Sequence, residues 1–277
     1  VVTISIGLIS KFTLHFEIFA LILAMLGFFV ISKSLDKPID KKLHIYLFIF
    51  AILFIFIFRA IPYFNNEIPL GYDAGLYKYA IENGLQNLDP WILRSMEPGF
   101  LYLMKPISWI FSTQFILTWL FIIFNIILGL AVYLFSLSYF GKKVGIISLL
   151  IFSVSVIQFK VFTFMYYKNI IGLSLMLFAL YFLKKQGKNS RILFIVLAGL
   201  LGAIHRPTFY IFGLSYMFFS IISPLNNKLN ERKYDFSLLK YHIINGTAIL
   251  LIASSFYIGK FSPAITSMFQ PVIQGFI

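Results

Sequence analysis

Apolar residues in this chain come in long runs separated by short polar knots, and that pattern limits the fold more than any other feature. A helix needs about 20 mostly apolar residues to cross the hydrocarbon of a bilayer. Runs near that length are Phe12–Ile31, Leu43–Ile61, Gln114–Leu137, Val144–Ile157, Ile170–Leu183, Ile192–Ile204, Pro207–Ser223 and Tyr241–Ile258. Val144–Ile157 and Ile192–Ile204 are short for full crossings. Each precedes a polar knot and a further apolar run, which reads as paired helices meeting at a membrane face. The tail Ser262–Ile277, broken by Pro263 and Pro271, starts another span or an interfacial helix. The expectation is an all-α polytopic bundle of about eight spans, one transmembrane domain over residues 1–277. The chain opens on Val1 and closes inside an apolar stretch, so a fragment of a longer protein is expected.

Composition agrees. The chain is 60% hydrophobic and 12% charged, where soluble chains run near ~45–50% and ~25%. It has no cysteine, which excludes a disulfide scaffold, thiol chemistry and a CxxC metal site. Disorder is excluded by the same hydrophobicity.

The net charge of +13 is mostly topology. Lys33–Lys42, Gly141–Lys143, Lys184–Arg191 and Pro224–Lys240 hold 14 of the 23 Lys and Arg, and they alternate with poorer segments along the chain. The positive-inside rule assigns those four to the cytoplasm. Of the ten acids, six fall on the other side. No basic stretch carries the interleaved aromatics of a single-strand binder, so nucleic acid is not an expected partner.

One connection is long. Pro62–Thr113 lies on the external side and carries Glu67, Asp73, Glu82, Asp89 and Glu97 with Lys78, Arg94 and Lys105. Long loops with structure of their own usually serve function. The order reads turn, helix, turn, helix: Pro69-Leu70-Gly71 turns, Asp73 to Asn83 is helical until Gly84, Asp89-Pro90 turns again, and Pro98 opens a helix capped by Glu97. Asp73 and Tyr77, four apart, share a face, and Asp73 falls in the first turn, where the helix dipole favours a carboxylate.

Two more knots carry chemistry. His205 and Arg206, in Gly202-Ala203-Ile204-His205-Arg206-Pro207-Thr208, sit between short apolar runs near the external boundary. Ionisable groups against a bilayer are costly and usually have a partner; a guanidinium forks onto phosphate oxygens, although snorkelling to headgroups would also place an Arg there. Lys160 and Lys168, with Tyr166, Tyr167 and Asn169, form an external knot whose cations run against the positive-inside trend. This suits phosphate binding or simple anchoring. His15 and Glu17, two apart, lie on different faces of the first span and read as interfacial. There is no GxxxxGK[ST] loop, HExxH or GxSxG. The four histidines are dispersed. A divalent cation, Mg2+ or Mn2+, held by Asp73 and Glu97 is the one cofactor left open, because hard cations take oxygen ligands.

Gly71-Tyr72-Asp73-Ala74-Gly75-Leu76-Tyr77, followed by Glu97-Pro98-Gly99-Phe100-Leu101-Tyr102-Leu103, resembles the first external loop of membrane glycosyltransferases of the GT-C superfamily. The Glu-Pro-Gly-Phe segment is similar also to Wzy-like exopolysaccharide polymerases, as is Ala203-Ile204-His205-Arg206-Pro207. The resemblance covers Ile61 to Tyr210. It departs where Asp73 is followed by Ala74 rather than a second acid, and where Lys168-Asn169 replaces the Arg and Gln of the polymerase group.

The resemblance implies transfer of a sugar from a polyprenyl-phosphate or -diphosphate carrier to a glycan, lipid or protein acceptor. It places the active site on the external face of a prokaryotic plasma membrane, in cell-envelope polysaccharide biosynthesis. Asp73 would be the base on the acceptor hydroxyl, and Glu97 would orient the acceptor or help hold a metal. Arg206, then Lys168 and Arg94, would neutralise the leaving phosphate, with His205, Tyr77 and Tyr72 lining the substrate. Two alternatives use the same carrier: a polymerase or ligase joining lipid-linked oligosaccharides, and a transporter or flippase without chemistry. The transporter would place ionisable groups near mid-membrane in matched, broken halves.

Overall fold

The computed structural model describes residues 40–258 except 65–68, 72, 85–87, 89–91, 93–95, 186 and 232–235, with no side chains over 225–231. The expected span Phe12–Ile31, with His15 and Glu17, and the tail Ser262–Ile277 lie outside the described residues. So do Glu67, Tyr72, Asp89 and Arg94.

The described residues are all-helical, without a strand. In chain order the helices are α1 (Lys41–Ala60), continued by a tight turn Ile61–Tyr63, α2 (Ala74–Asn83), α3 (Pro98–Ile107), α4 (Thr113–Phe140), α5 (Lys142–Val154), α6 (Val156–Thr163), α7 (Tyr167–Lys184), α8 (Lys188–Ile204), α9 (Arg206–Glu231) and α10 (Phe236–Ser255). Every apolar run expected as a span among the described residues is mainly helical, with a break at Ser155 and an end at Ser255. Four stretches are long and apolar enough to cross a membrane, namely Lys41–Tyr63, α4, α7 and α10, or five if the bent pair α5–α6 counts as one. The protein is an integral membrane protein. The count of about eight is not reached among the described residues: α8, at 17 residues, and α9 are helical but outside that group.

Val144–Ile157 looked short because its helix was read to stop early. The helix breaks at Ser155 and resumes to Thr163, the two parts bent by 51°. Ser155 leaves helical geometry (ψ 116°), and its hydroxyl accepts the N–H of Gln158, capping α6.

The chain divides into two compact units. One holds the described residues up to Ala74 together with Leu117–Tyr167. Here α4 and α5 form a hairpin through Gly141 alone, whose φ of +90° is left-handed and suits glycine. Both pack on α1. Gly129 of α4 has no room for a Cβ, which would lie 2.8 Å from Ile55 of α1 and 3.2 Å from Phe152 of α5. Small residues permit this approach between apolar helices. Inside the unit Arg59 is 1% exposed, and its Nε donates to Oδ1 of Asn125 at 3.1 Å. Its guanidinium lies 5.7 and 5.9 Å from the ring centres of Phe152 and Phe162. Sequence reading passed over Arg59; the available cue was a lone cation in one apolar run and a lone Asn in another.

The other unit holds Gly75–Ile116 and the described residues from Lys168 onward. Its centre is α8, which packs on α10, α9 and α3. Ala179, Phe194, Ala198, Leu201, Phe212 and Ile249 form the core. Small residues line α8: a Cβ on Gly199 would meet Ile252 at 2.5 Å, and one on Gly202 would meet Ala253 at 2.7 Å.

Candidate functional site

Within the first unit, Asp73 is half-buried and immediately precedes α2, rather than lying in its first turn. Two residues earlier Gly71 has φ +93°, and a Cβ there would sit 2.5 Å from the backbone carbon of Phe164. The turn bearing Asp73 is thus seated on the backbone at Phe164–Met165, where Met165 itself adopts φ +60°. Non-glycine residues rarely take that conformation, and held strain of this kind clusters at functional sites.

Within the second unit, α2 ends as expected at Gly84, with φ +64°. Lys105 of α3 donates to the carbonyls of Ile81 and Glu82 at 3.0 and 3.2 Å, placing a cation on the last turn of α2. Tyr77 is 1% exposed, with its ring 5.0 Å from Phe100. Whatever else it touches, it packs the core.

Glu97 holds the N-cap position of α3 in extended geometry, as expected, but its side chain does not cap the helix. It reaches across the unit. Oε2 accepts from Nζ of Lys168 at 2.5 Å, and Oε1 accepts from Nε of Arg206 at 3.5 Å. The carboxylate is 4% exposed, and the two cationic side chains are each 15% exposed. Burial alone would raise the pKa of Glu97, but Lys168, through charge and hydrogen bond, and then Arg206 more than reverse this. The carboxyl is held below its ordinary range.

Two glycines bring these three groups together. A Cβ on Gly99, two residues after Glu97, would lie 2.6 Å from Cβ and 2.8 Å from the backbone carbon of Ala203. A Cβ on Gly172, one turn after Lys168, would lie 2.7 Å from Cβ of His205. Hence α3 and α7 both touch the end of α8, just where it hands over to α9 through His205 alone. His205 is 8% exposed. Its Nδ1 lies 2.6 Å from the Thr208 hydroxyl and accepts the Thr208 backbone N–H at 3.4 Å. Accepting at Nδ1 assigns the proton of a neutral ring to Nε2. Burial lowers the pKa of His205; Glu97 opposes, and Lys168 and Arg206 add to the lowering.

Tyr257, which sequence reading missed, is 2% exposed and donates to the carbonyl of Gly202 at 3.0 Å. This satisfies one of the orphan carbonyls at the end of α8. Burial raises its pKa, and the fields of Arg206 and Glu97 both reach it.

A metal fits this donor set poorly. Hard cations need free carboxylate oxygens, and both oxygens of Glu97 face cations. Among the described residues no three His, Asp or Glu side chains gather as a metal site.

The family model for dolichyl-phosphate-mannose-protein mannosyltransferase matches residues 95–257, more than half of the chain. The chain belongs to that family. It is thus a membrane glycosyltransferase of the GT-C type. Neither the curated proteins nor the solved structures contain a match. In this mannosyltransferase-family chain the matched region includes Glu97, Lys168, His205, Arg206 and Tyr257, whereas Asp73 precedes it.

Proposed function

We propose that the protein transfers a sugar from a polyprenyl-phosphate-linked donor to a glycan, lipid or protein acceptor on the external face of the membrane. The supporting observation is the convergence of Lys168 and Arg206 on one buried carboxylate where α3, α7 and the α8–α9 junction meet. Lys168 and Arg206 thus bring two cations together in a site largely removed from water. A leaving lipid phosphate develops negative charge as the glycosidic bond breaks, and preorganised cations stabilise that charge without reorganising. Arg206 supplies the planar fork and Lys168 the point charge. Glu97 acts as the positioning residue that keeps both cations aimed, in place of the acceptor or metal role that the resemblance implied. A metal at Glu97 would have to displace both.

Asp73 is the base that takes the acceptor hydroxyl proton, an assignment that rests on the Gly71–Tyr77 resemblance and not on a distance. His205, neutral and with its Nε2–H available for donation, contacts sugar or phosphate. The bookkeeping closes: the acceptor oxygen bonds to the anomeric carbon, the carbon–phosphate oxygen bond breaks, Asp73 takes the proton, and the carrier leaves as the phosphate.

The test uses purified full-length protein, radiolabelled polyprenyl-phosphate sugars and the Asp73→Asn variant. Sugar release by wild type and none by Asp73→Asn, with expression and melting unchanged, is expected. Equal turnover by the variant removes Asp73 from the mechanism. Products of one sugar support transfer, and long products support the polymerase reading.

A further inference from the structure

A second polar cluster lies at the other end of α8, about 20 Å from His205 at ~1.5 Å per residue. Arg191, in the first turn of α8, donates Nε–H to Oδ1 of Asn245 on α10 at 2.7 Å, with its guanidinium 4.5 Å from the Tyr241 ring centre. On the same face of α10, three residues before Asn245, His242 pairs through Nδ1 with the Tyr216 hydroxyl of α9 at 2.9 Å. Taking Tyr216 as donor puts the imidazole proton on Nε2.

This cluster is left short of acceptors. Asn245 is wholly buried and His242 is 4% exposed, yet Nε2 of His242 has no hydrogen-bond partner among the described residues, and Nδ2 of Asn245, although the Tyr216 hydroxyl is its neighbour, makes no well-formed bond. No carboxylate of the described residues pairs with Arg191. Buried N–H groups left without an acceptor are costly, and folds keep them rarely. Here one belongs to the amide whose oxygen accepts from Arg191, and the other lies one turn away on the same face of α10. What completes such a set is an anion with several oxygens. Arg191 is only half-buried, so the set is reached from the helix end. The flanking segments Lys184–Arg191 and Pro224–Lys240 add basic charge, eight Lys and Arg against Glu231 and Asp235.

We propose that Arg191, His242 and Asn245 bind a phosphate group at this end of α8, separate from the Glu97 cluster, with a membrane-lipid headgroup as the source its position favours. The guanidinium takes two phosphate oxygens, and Asn245 and His242 each donate to one.

The experiment uses the full chain in phosphatidylcholine nanodiscs. It reads binding of fluorescent phosphatidylglycerol and, separately, the melting shift on adding inorganic phosphate. The variants are Arg191→Gln and Asn245→Asp. Asn245→Asp keeps the shape and gives Arg191 a carboxylate, so it folds while repelling an anion. Affinity for phosphatidylglycerol is expected to fall about tenfold or more in both variants, the loss of at least one charge-assisted hydrogen bond. Asn245→Asp should melt no lower than wild type. Wild-type stabilisation by inorganic phosphate that vanishes in Asn245→Asp supports the same site with free phosphate as ligand. Equal lipid affinity in wild type and Asn245→Asp, with no phosphate shift in either, overturns the proposal.

Discussion

Replacing Glu97 with Gln keeps the shape of the side chain and removes its negative charge from between Lys168 and Arg206. The amide oxygen still accepts from Lys168, but the amide NH2 then faces the guanidinium, donor against donor. At an effective dielectric near 20, unit charges at ~4 Å interact by about 4 kcal/mol. The pairs here are closer, at 2.5 and 3.5 Å. Part of that gain is offset because Gln no longer carries the desolvation cost of a carboxylate that is 4% exposed. Breaking a buried pair costs about 3–5 kcal/mol in measured cases, and the 15% exposure of both cations favours the lower end, about 3 kcal/mol. Soluble-domain scaling turns this into a drop of roughly 6–12 °C. The assay is thermal unfolding in detergent followed by tryptophan fluorescence, with Glu97→Asp as the charge-retaining control. Glu97→Asp should lose less than Glu97→Gln. A Gln variant that melts within a degree or so of wild type would show that the two cations do not depend on Glu97, and would remove its positioning role.

The same carboxylate gives an acid dependence with a definite sign. Its folded pKa lies below the ordinary 4.5, so its stabilisation is present above that value and is lost as pH falls through the lowered one. Wild type should therefore lose melting temperature between about pH 5 and 3 by a component that Glu97→Gln lacks; parallel acid curves would contradict this. Gly99→Ala should destabilise by about 1–3 kcal/mol through its clash with Ala203, whereas Gly75→Ala, with open space around its Cβ, should be neutral or stabilise by up to about 1 kcal/mol. Equal melting of these two variants would refute the close approach of α3 to α8. Arg59→Met leaves Oδ1 of Asn125 buried without its donor and should cost about 1–3 kcal/mol. Adding Asn125→Leu should recover that loss, because apolar replacement of a whole buried polar pair is often neutral or better; a double variant worse than the single, by denaturation, counts against it.

Much of the architecture was legible because bilayer length and helix punctuation are local signals. The runs Leu43–Ile61, Gln114–Leu137 and Ile170–Leu183 each lie within a span-length helix, and Gly84 and Pro98 mark the helix end and start they suggested. The break at Ser155 was missed because a serine inside an apolar run reads as tolerated, and only the tertiary packing decides whether it caps or continues. Glu97, Lys168, His205 and Arg206 were legible as candidates, since charge beside apolar runs is expensive. Their convergence was not legible: Lys168 and Arg206 lie 71 and 109 residues from Glu97. Glu97 read as a cap because cap chemistry depends on its neighbours, whereas its partners depend on the fold. Gly99 and Gly172 carried the missing information, but a glycine in a helix announces close approach without naming what approaches.

The central claim, that this buried cationic cluster receives the leaving lipid phosphate, is tested most directly by single-turnover sugar release in Arg206→Gln. Arg206 is the variant of choice because its 3.5 Å contact with Glu97 is the weaker of the two, so the Lys168–Glu97 pair survives its loss. With melting close to wild type, the chemical step should slow by about 10²–10³-fold, the usual effect of removing one charge-stabilising donor. A single-turnover rate equal to wild type on the polyprenyl-phosphate sugar that wild type accepts would contradict the account.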